Sequence, residues 1–272
     1  MLKVTLLGGT AFAVDGAIIK SDLGPSGRLL ACYLFEFIGR VHRRERLADL
    51  FWGELEPEKA KSALNTAVWR IRKMLGMAVE RGGHHLVTIG DDVILEPAAS
   101  IQVDTHGLQS ACRLTSGQKK GSGLTATDEE TIGAAVMNYG GPFLDGDEGD
   151  WILQERERLH CLFVTSTLEL MRLAARRSQY ERALDYGRLV LASDPLRESV
   201  QRDTMLLLVL NGQRASAIHT YRRLKALLKS DLCIEPMPDT RRLHQEILSG
   251  EVFDHLDHHV STYFGAQPLD AR

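Results

Sequence analysis

The chain has 272 residues, of which 44% are hydrophobic, 25% are charged and only 6% are aromatic. This length predicts one large domain or two ordinary ones, and the hydrophobic fraction excludes wholesale disorder. Because 33 Lys and Arg stand against 36 Asp and Glu, for a formal charge of −3, any surface for nucleic acid must be a local basic patch.

The first 100 residues alternate short strands with helices. Strands are predicted at residues 2–7, 12–14 and 17–19, helices at residues 26–38, 43–51 and 57–75, and a final hairpin at residues 86–89 and 93–95. Asp15-Gly16 is a tight-turn dipeptide, and Pro57 suits the first turn of a helix. Three helices followed by a β-hairpin is the order of a winged helix.

The third predicted helix has an apolar face and a polar face. Five residues at helical spacing predict the buried stripe: Leu64, Ala67, Val68, Ile71 and Leu75. Five residues on or beside the opposite face are candidates to read base edges: Asn65, Thr66, Trp69, Arg70 and Lys73. Residues 58–75 carry five positive charges and one negative charge, which suits a major groove, where Arg pairs with guanine and Asn with adenine. An ordinary solvated face is the alternative, but it does not explain an exposed Trp69.

Candidate phosphate contacts surround this polar face. They are six cations and one hydroxyl at helix starts, on the flanks and in the wing: Arg40, Arg43, Arg44, Lys59, Ser62, Arg72 and Arg81. Phosphate contacts position a protein on the duplex but carry no sequence information. A plain surface turn is an equal alternative for the wing at residues 81–85.

Beyond Asp104 the strand signals disappear. The Gly/Ser/Thr-rich segment at residues 114–126 predicts a flexible loop, and Thr127 with Glu130 predicts a capping box that opens the next helix. From Trp151 to Leu248, helix follows helix. Four residues recur 34 positions later, the period of tetratricopeptide repeats: Met171, Leu173, Ala183 and Leu184 as Met205, Leu207, Ala217 and Ile218.

Several common sequence patterns are missing from the chain. Their absence limits where the protein is expected to act and which chemistry it is expected to perform. No apolar stretch approaches the ~20 residues of a membrane span, and the first residues do not resemble a signal peptide. Widely spaced Cys32, Cys112, Cys161 and Cys233 predict buried free thiols in a reducing cytoplasm. The chain lacks the common nucleotide-binding and hydrolase motifs. His255 with His259 and the acidic residues between 145 and 150 are only weak candidates for metal ligands, so we expect no metal site. Since the enzyme motifs are missing, we also expect no catalytic residue and no cofactor.

Short motifs along the chain resemble the Streptomyces-antibiotic-regulatory-protein type of bacterial transcriptional activator. The first half carries Leu6-Leu7-Gly8, Leu50-Phe51-Trp52-Gly53 and Ala63-Leu64 leading to Arg70-Ile71-Arg72-Lys73-Met74-Leu75. The second half carries Tyr139-Gly140-Gly141-Pro142-Phe143-Leu144, Trp151 with Glu155 and Arg158-Leu159, and Asp194-Pro195-Leu196-Arg197-Glu198. The most specific stretch is Ile234-Glu235-Pro236-Met237-Pro238-Asp239-Thr240, followed by residues 243–248.

The resemblance covers about residues 1–250 and implies an architecture. It implies an OmpR-like winged helix over residues 1–100, a tetratricopeptide-like activation domain over residues 101–250, and a tail over residues 251–272. It also implies binding to direct repeats in promoter DNA and contact with RNA polymerase, and it leaves a homodimer open. Trp69 stands where members more often carry a small polar residue, so the DNA specificity is expected to differ.

The sequence thus predicts a mainly α protein, a winged helix followed by an all-α domain. Its expected function is that of a cytoplasmic, non-enzymatic regulator that binds double-stranded DNA and activates transcription, with no membrane contact. Two other classes remain open. One is a helical-repeat adaptor whose winged helix binds protein, and the other is a regulator gated by a small ligand in the helical half.

Overall fold

The computed structural model describes residues 1–19, 22–78, 85–117 and 124–265. The chain forms two compact units. Unit 1 comprises Met1–Ser110 and Met137–His160, and unit 2 comprises Ala111–Val136 and Cys161–Arg272. The chain therefore passes between the units three times, and the expected division near residue 100 stays a prediction.

Within the described residues, unit 1 holds two small sheets and three complete helices. In chain order its elements are β1 (Leu2–Thr5), β2 (Ala11–Val14), β3 (Ala17–Ile18), α1 (Gly24–Glu36), β4 (Val41–Arg43), α2 (Arg44–Trp52), α3 (Pro57–Ala78), β5 (Leu86–Ile89), β6 (Asp92–Leu95) and β7 (Ile101–Val103). Three helices followed by the β5–β6 hairpin confirm the predicted winged helix.

The strand order shows what the sequence pattern missed. The first sheet has the order β3-β2-β1-β7, in which β1 pairs antiparallel with β2 and parallel with β7. The second sheet has the order β4-β6-β5 and is antiparallel throughout. Neither β4 nor β7 was predicted, because a three-residue strand is too short to show the alternation of polar and apolar residues.

The second half of the chain is helical, as predicted. Its helices are α4 (Asp104–Gly117), α5 (Ala126–Met137), α6 (Asp150–Arg176), α7 (Tyr180–Ser193), α8 (Glu198–Leu210), α9 (Arg214–Leu232), α10 (Pro238–Ser249) and α11 (Leu256–Phe264), with a 3₁₀ turn at Glu251–Phe253 before the last. Both α4 and α6 begin in unit 1 and end in unit 2.

The predicted loop and capping box shift in the structure. Helix α4 continues to Gly117, so the predicted loop begins later than residue 114, and residues 118–123 of that loop lie outside the described residues. The Asp128 amide donates to the Thr125 hydroxyl at 3.2 Å, and the Thr125 amide donates to the Asp128 carboxylate at 3.0 Å. The capping box thus uses this pair and not Thr127 with Glu130, because Thr127 already lies inside α5.

The 34-residue repeat appears as repeated backbone geometry. Ser178 and Gly212, 34 residues apart, both end a helix in the left-handed region, with φ of 57° and 74°. In each turn the next amide donates back across the helix end: Gln179 to the carbonyl of Ala174 at 2.9 Å, and Gln213 to that of Leu208 at 2.7 Å. Such closed helix ends satisfy carbonyls that the helix leaves unpaired.

The two alanines of the repeat are also equivalent. Ala183 on α7 and Ala217 on α9 are both fully buried. Helix α7 packs against α8, and α8 packs against α9, so consecutive antiparallel helices stack as in a tetratricopeptide array. The predicted tetratricopeptide-like domain is therefore confirmed.

The C-terminal region and two cysteines differ from expectation. Residues 256–264 of the expected tail form α11, whose Val260 and Phe264 are buried, and the Nε2 atom of His259 lies 2.9 Å from the Glu246 carboxylate on α10. Residues 266–272 lie outside the described part of the chain. The prediction of buried thiols is wrong for Cys161 and Cys233, which are exposed because one lies on an outward position of α6 and the other just beyond α9.

Candidate nucleic-acid interface

Helix α3 is fixed on the body of unit 1 through its apolar face. The five predicted stripe residues are all buried, with at most 4% of each exposed: Leu64, Ala67, Val68, Ile71 and Leu75. These side chains face the neighbouring helices, since α3 packs against both α1 and α2. The opposite face is thereby held in the solvent in one orientation.

The predicted base-reading residues lie together on that free face. Asn65, Thr66, Trp69 and Lys73 are exposed, and Arg70 is half-buried. Trp69 is 60% exposed, and the Lys73 ammonium lies 5.6 Å from the centre of its ring. The Thr66 hydroxyl donates to the Ser62 carbonyl one turn earlier, at 3.0 Å. The face therefore presents an amide, a cation and a large ring within two helical turns.

A hydrogen bond joins the second helix to this face. The Arg44 guanidinium, at the first residue of α2, donates to the Asn65 side-chain oxygen on α3. The sequence assigned Arg44 to phosphate and Asn65 to a base, and the structure brings the two residues into contact. Because the bond uses the amide oxygen, the amide nitrogen of Asn65 keeps its donors for another partner.

Two further predicted phosphate residues lie on the approach to α2. Arg43 is largely exposed, and its Nε lies 3.4 Å from the Asp92 carboxylate at the start of β6. The Arg40 guanidinium lies 4.7 Å from the centre of the Phe37 ring and is exposed to solvent. Both cations therefore remain accessible to an external anion.

Arg72 has a structural partner that the sequence did not indicate. Its Nε donates to the Leu86 carbonyl at 2.9 Å, and a terminal nitrogen donates to the Thr88 hydroxyl. Arg72 thus ties α3 to strand β5 of the wing hairpin, and its predicted phosphate contact stays a prediction. Arg81, the predicted contact in the wing, lies outside the described residues.

A cleft of about 460 Å³ runs between the exposed face of α3 and the first turn of α1. From α3 it is lined by four predicted site residues: Lys59, Ser62, Thr66 and Arg70. From α1 it is lined by the residues 24–27, where the sequence predicted only a helix start two residues later. Amides at a helix start carry partial positive charge, so both walls of the cleft attract anions.

Residues from the helical half of the sequence complete the core beneath this interface. Trp151, at the start of α6, packs edge to face against Tyr33 of α1 with ring centres 5.1 Å apart, and its ring also meets Phe51 of α2 and Phe143. The sequence placed Trp151 in the second domain. The structure places it in unit 1, against the two helices that carry α3.

The loop before α6 is bound to strand β1. The Gly8 amide donates to the Pro142 carbonyl at 2.9 Å, and the Leu144 amide donates to the Leu6 carbonyl at 2.8 Å. The two backbone segments approach so closely that a Cβ on Gly8 would lie 2.3 Å from the Gly140 carbonyl oxygen. Only glycine fits there, so the motifs around residues 8 and 140 are two sides of one contact.

A buried carboxylate lies at the end of α1. Glu36 is almost fully buried, and it accepts hydrogen bonds from Gln109 at 2.7 Å and from Arg158 at 3.1 Å. Burial raises the pKa of Glu36 to about 8, and the neighbouring Glu155 carboxylate adds to this rise, whereas Arg158 opposes it. The cluster links α1 to α4 and α6 within unit 1.

The described residues contain no group of three or more His, Cys, Asp or Glu side chains arranged to hold a metal ion. In that same part of the chain, no helix is both long and apolar enough to cross a membrane.

A family model, the bacterial transcriptional activator domain, matches residues 103–248, which is more than half of the chain. The chain belongs to this family. The match confirms the resemblance to activators of the Streptomyces-antibiotic-regulatory-protein type. It also crosses the boundary between the compact units, because residues 103–110 and 137–160 of the matched region lie in unit 1.

Nearly the whole chain is similar in sequence to known regulatory proteins. Regulatory protein AfsR of Streptomyces griseus is 27% identical over 92% of this chain, which spans 25% of that protein. Transcriptional regulatory protein MoaR1 of Mycobacterium tuberculosis is 24% identical over 91% of this chain and 82% of its own length. A solved structure of Mycobacterium tuberculosis EmbR in complex with a low affinity phosphopeptide matches 97% of this chain and 69% of that one, with a TM-score of 0.68 and 21% identity. That likeness establishes the fold.

Proposed function

We propose that the chain is a sequence-specific DNA-binding transcriptional activator of a bacterial cytoplasm, without enzymatic activity. Helix α3 enters the major groove with its exposed face, where Asn65 and Arg70 meet base edges and Trp69 packs on a thymine methyl group or a sugar. The observation that carries the proposal is the division of α3 into a fully buried stripe and an exposed face of amide, ring and cations.

The phosphate backbone is held on both sides of α3 in this proposal. Arg43 and Arg44 lie at the start of α2, and Lys59 and Ser62 lie in the cleft beside the first turn of α1. Positive side chains and helix starts are the groups that commonly contact phosphates, and they hold the duplex in register while α3 reads the bases. Arg40, Arg72 and Arg81 complete the proposed phosphate set.

Promoter repeats and RNA polymerase are the proposed partners. The family and the relatives, which are named as regulatory proteins, support this part of the proposal. Two copies on neighbouring direct repeats would each place α3 in a major groove, one helical turn of DNA or a multiple of it apart. Unit 2 would then be the part available for contact with the polymerase.

Genome-wide footprinting of the bound chain tests the DNA-binding proposal. We expect an enriched motif of repeated half-sites, which disappears when Asn65 and Arg70 are both replaced by Ala. The matched control replaces Arg222 and Lys229, two exposed cations of unit 2 outside its groove, and should leave the footprints in place. If the wild-type chain enriches no common motif, or if both double variants lose it equally, α3 does not read DNA.

A specific observation favours a second candidate function, a regulator gated by a small ligand. It is the groove in unit 2 described below.

A further inference from the structure

Unit 2 contains a groove of about 720 Å³ between helices α7, α8 and α9. Each helix contributes one stripe of side chains at helical spacing: Leu184 and Leu191 from α7, Thr204 and Leu208 from α8, and Ser216, His219, Thr220 and Arg223 from α9. This volume is that of a typical small-molecule site, in which apolar walls bury the ligand body and a few polar groups orient it.

The polar groups of the groove are cationic or neutral. Arg188, His219 and Arg223 line it, and none of the described residues that line it is a carboxylate. Arg188 forms an ion pair with Asp185 on its own helix. His219 and Arg223 are exposed and have no hydrogen-bond or ion-pair partner among the described residues. The rim is therefore complementary to an anion.

The floor of the groove holds buried polar atoms. Only 8% of Thr204 is exposed, and its hydroxyl oxygen has no hydrogen-bond partner in the described part of the chain. The residue opposite is Gly187, where a Cβ would lie 3.0 Å from that oxygen. Gln201 beside it is more deeply buried, and its amide donates to the Pro195 carbonyl at 2.8 Å. Polar side chains therefore line the groove on the side of α8.

We infer that this groove binds a small organic anion that joins an apolar body to a carboxylate or phosphate head. The apolar body lies along Leu184, Leu191 and Leu208, and the head accepts charge-assisted hydrogen bonds from Arg223 and a hydrogen bond from a ring N–H of His219. A neutral amphiphile of the same size fills the same space without these bonds. The site lies wholly within unit 2, so the inference does not depend on DNA binding.

Calorimetric titration of the full chain with octanoate, octyl phosphate and octanamide tests the inference. We expect at least one of the two anions to bind at low millimolar concentration and octanamide to bind at least tenfold more weakly. The better of the two anions identifies the head group. If neither anion binds, or if octanamide binds as tightly as they do, the inference is wrong.

Two substitutions locate the binding. Arg223→Ala should weaken anion binding about tenfold, the effect of losing one charge-assisted hydrogen bond, whereas Arg222→Ala on the neighbouring, non-lining residue should not. Ala192→Trp, at an exposed position in the groove, should block all three probes by filling the space. Unfolding curves should show that the variants fold as the wild type does. Equal effects of Arg222→Ala and Arg223→Ala, or an unchanged affinity in Ala192→Trp, would place the ligand elsewhere and overturn the inference.

Discussion

Replacing Arg70 with Ala should weaken binding to the cognate duplex by about 1–3 kcal/mol, and binding to a scrambled duplex much less. Arg70 lies on the exposed side of α3 and lines the cleft beside α1. It has no ion-pair or hydrogen-bond partner among the described residues, so its truncation breaks no hydrogen bond or ion pair there. The loss in affinity therefore measures a contact with DNA, and a base contact makes that loss depend on sequence.

Two other arginines on the same surface should behave differently. Arg43→Ala removes an exposed cation with one long ion pair, so all duplexes should lose affinity alike, and the slope of log affinity against log salt should fall by about 1. Arg72→Ala removes two hydrogen bonds to strand β5, at about 0.5–1.5 kcal/mol each. It should therefore lower the melting temperature, whereas Arg43→Ala should leave it unchanged.

Fluorescence anisotropy with cognate and scrambled duplexes, at two salt concentrations, separates these cases. Arg222→Ala on α9 is the matched control, because it removes an exposed cation from unit 2 outside the groove and should change neither affinity nor slope. Suppose that Arg70→Ala and Arg43→Ala reduce cognate and scrambled affinity by the same factor. Then α3 does not read bases, and the winged helix binds DNA without regard to sequence or binds protein.

Three further predictions concern stability. Because burial raises the pKa of Glu36 from 4.5 to about 8, the folded chain binds this proton more tightly than the unfolded chain does, and the contribution to stability is lost as the pH rises through about 8. Glu36→Gln should therefore flatten the dependence of unfolding free energy on pH, and a constant difference from wild type would contradict this. Ala217→Leu, at a fully buried site, should cost about 1–3 kcal/mol, whereas Ala226→Leu on the exposed face of α9 should cost little. A fragment of residues 1–100 should fold and bind DNA weakly, yet melt below the full chain because it lacks β7 and Trp151. An unfolded circular dichroism spectrum for that fragment would argue against a division at residue 100.

Much of the fold can be predicted from local sequence patterns. The sequence predicts the apolar stripe of α3, the turn of the β5–β6 hairpin and the 34-residue repeat. Each of these features appears in residues that are neighbours or are regularly spaced along the chain. Periodicity detects such neighbours, because side-chain direction follows from backbone geometry alone. The polar face of α3 follows in the same way, since the residues opposite a buried stripe must face the solvent.

Contacts between distant residues needed the tertiary structure. Strand β7 pairs with β1 about 100 residues earlier, and the loop around residues 140–144 binds residues 6–8, just after β1, across a gap of about 135 residues. Neither contact leaves a periodic pattern, because each depends on a few backbone groups. The same is true of Arg72, which the sequence shows only as one more cation near the helix end and which the structure binds to β5.

The sequence pattern and the tertiary structure differ most clearly in which residues they assign to unit 1. The sequence changes from mixed to helical character near residue 100, and this change predicts a boundary there. Trp151 and the residues around it nevertheless pack into the core beneath α1 and α2, because those helices present Tyr33 and Phe51, whose rings meet the Trp151 ring edge to face. The sequence alone determines the order and faces of the helices, whereas burial of these rings decides which distant segment completes unit 1.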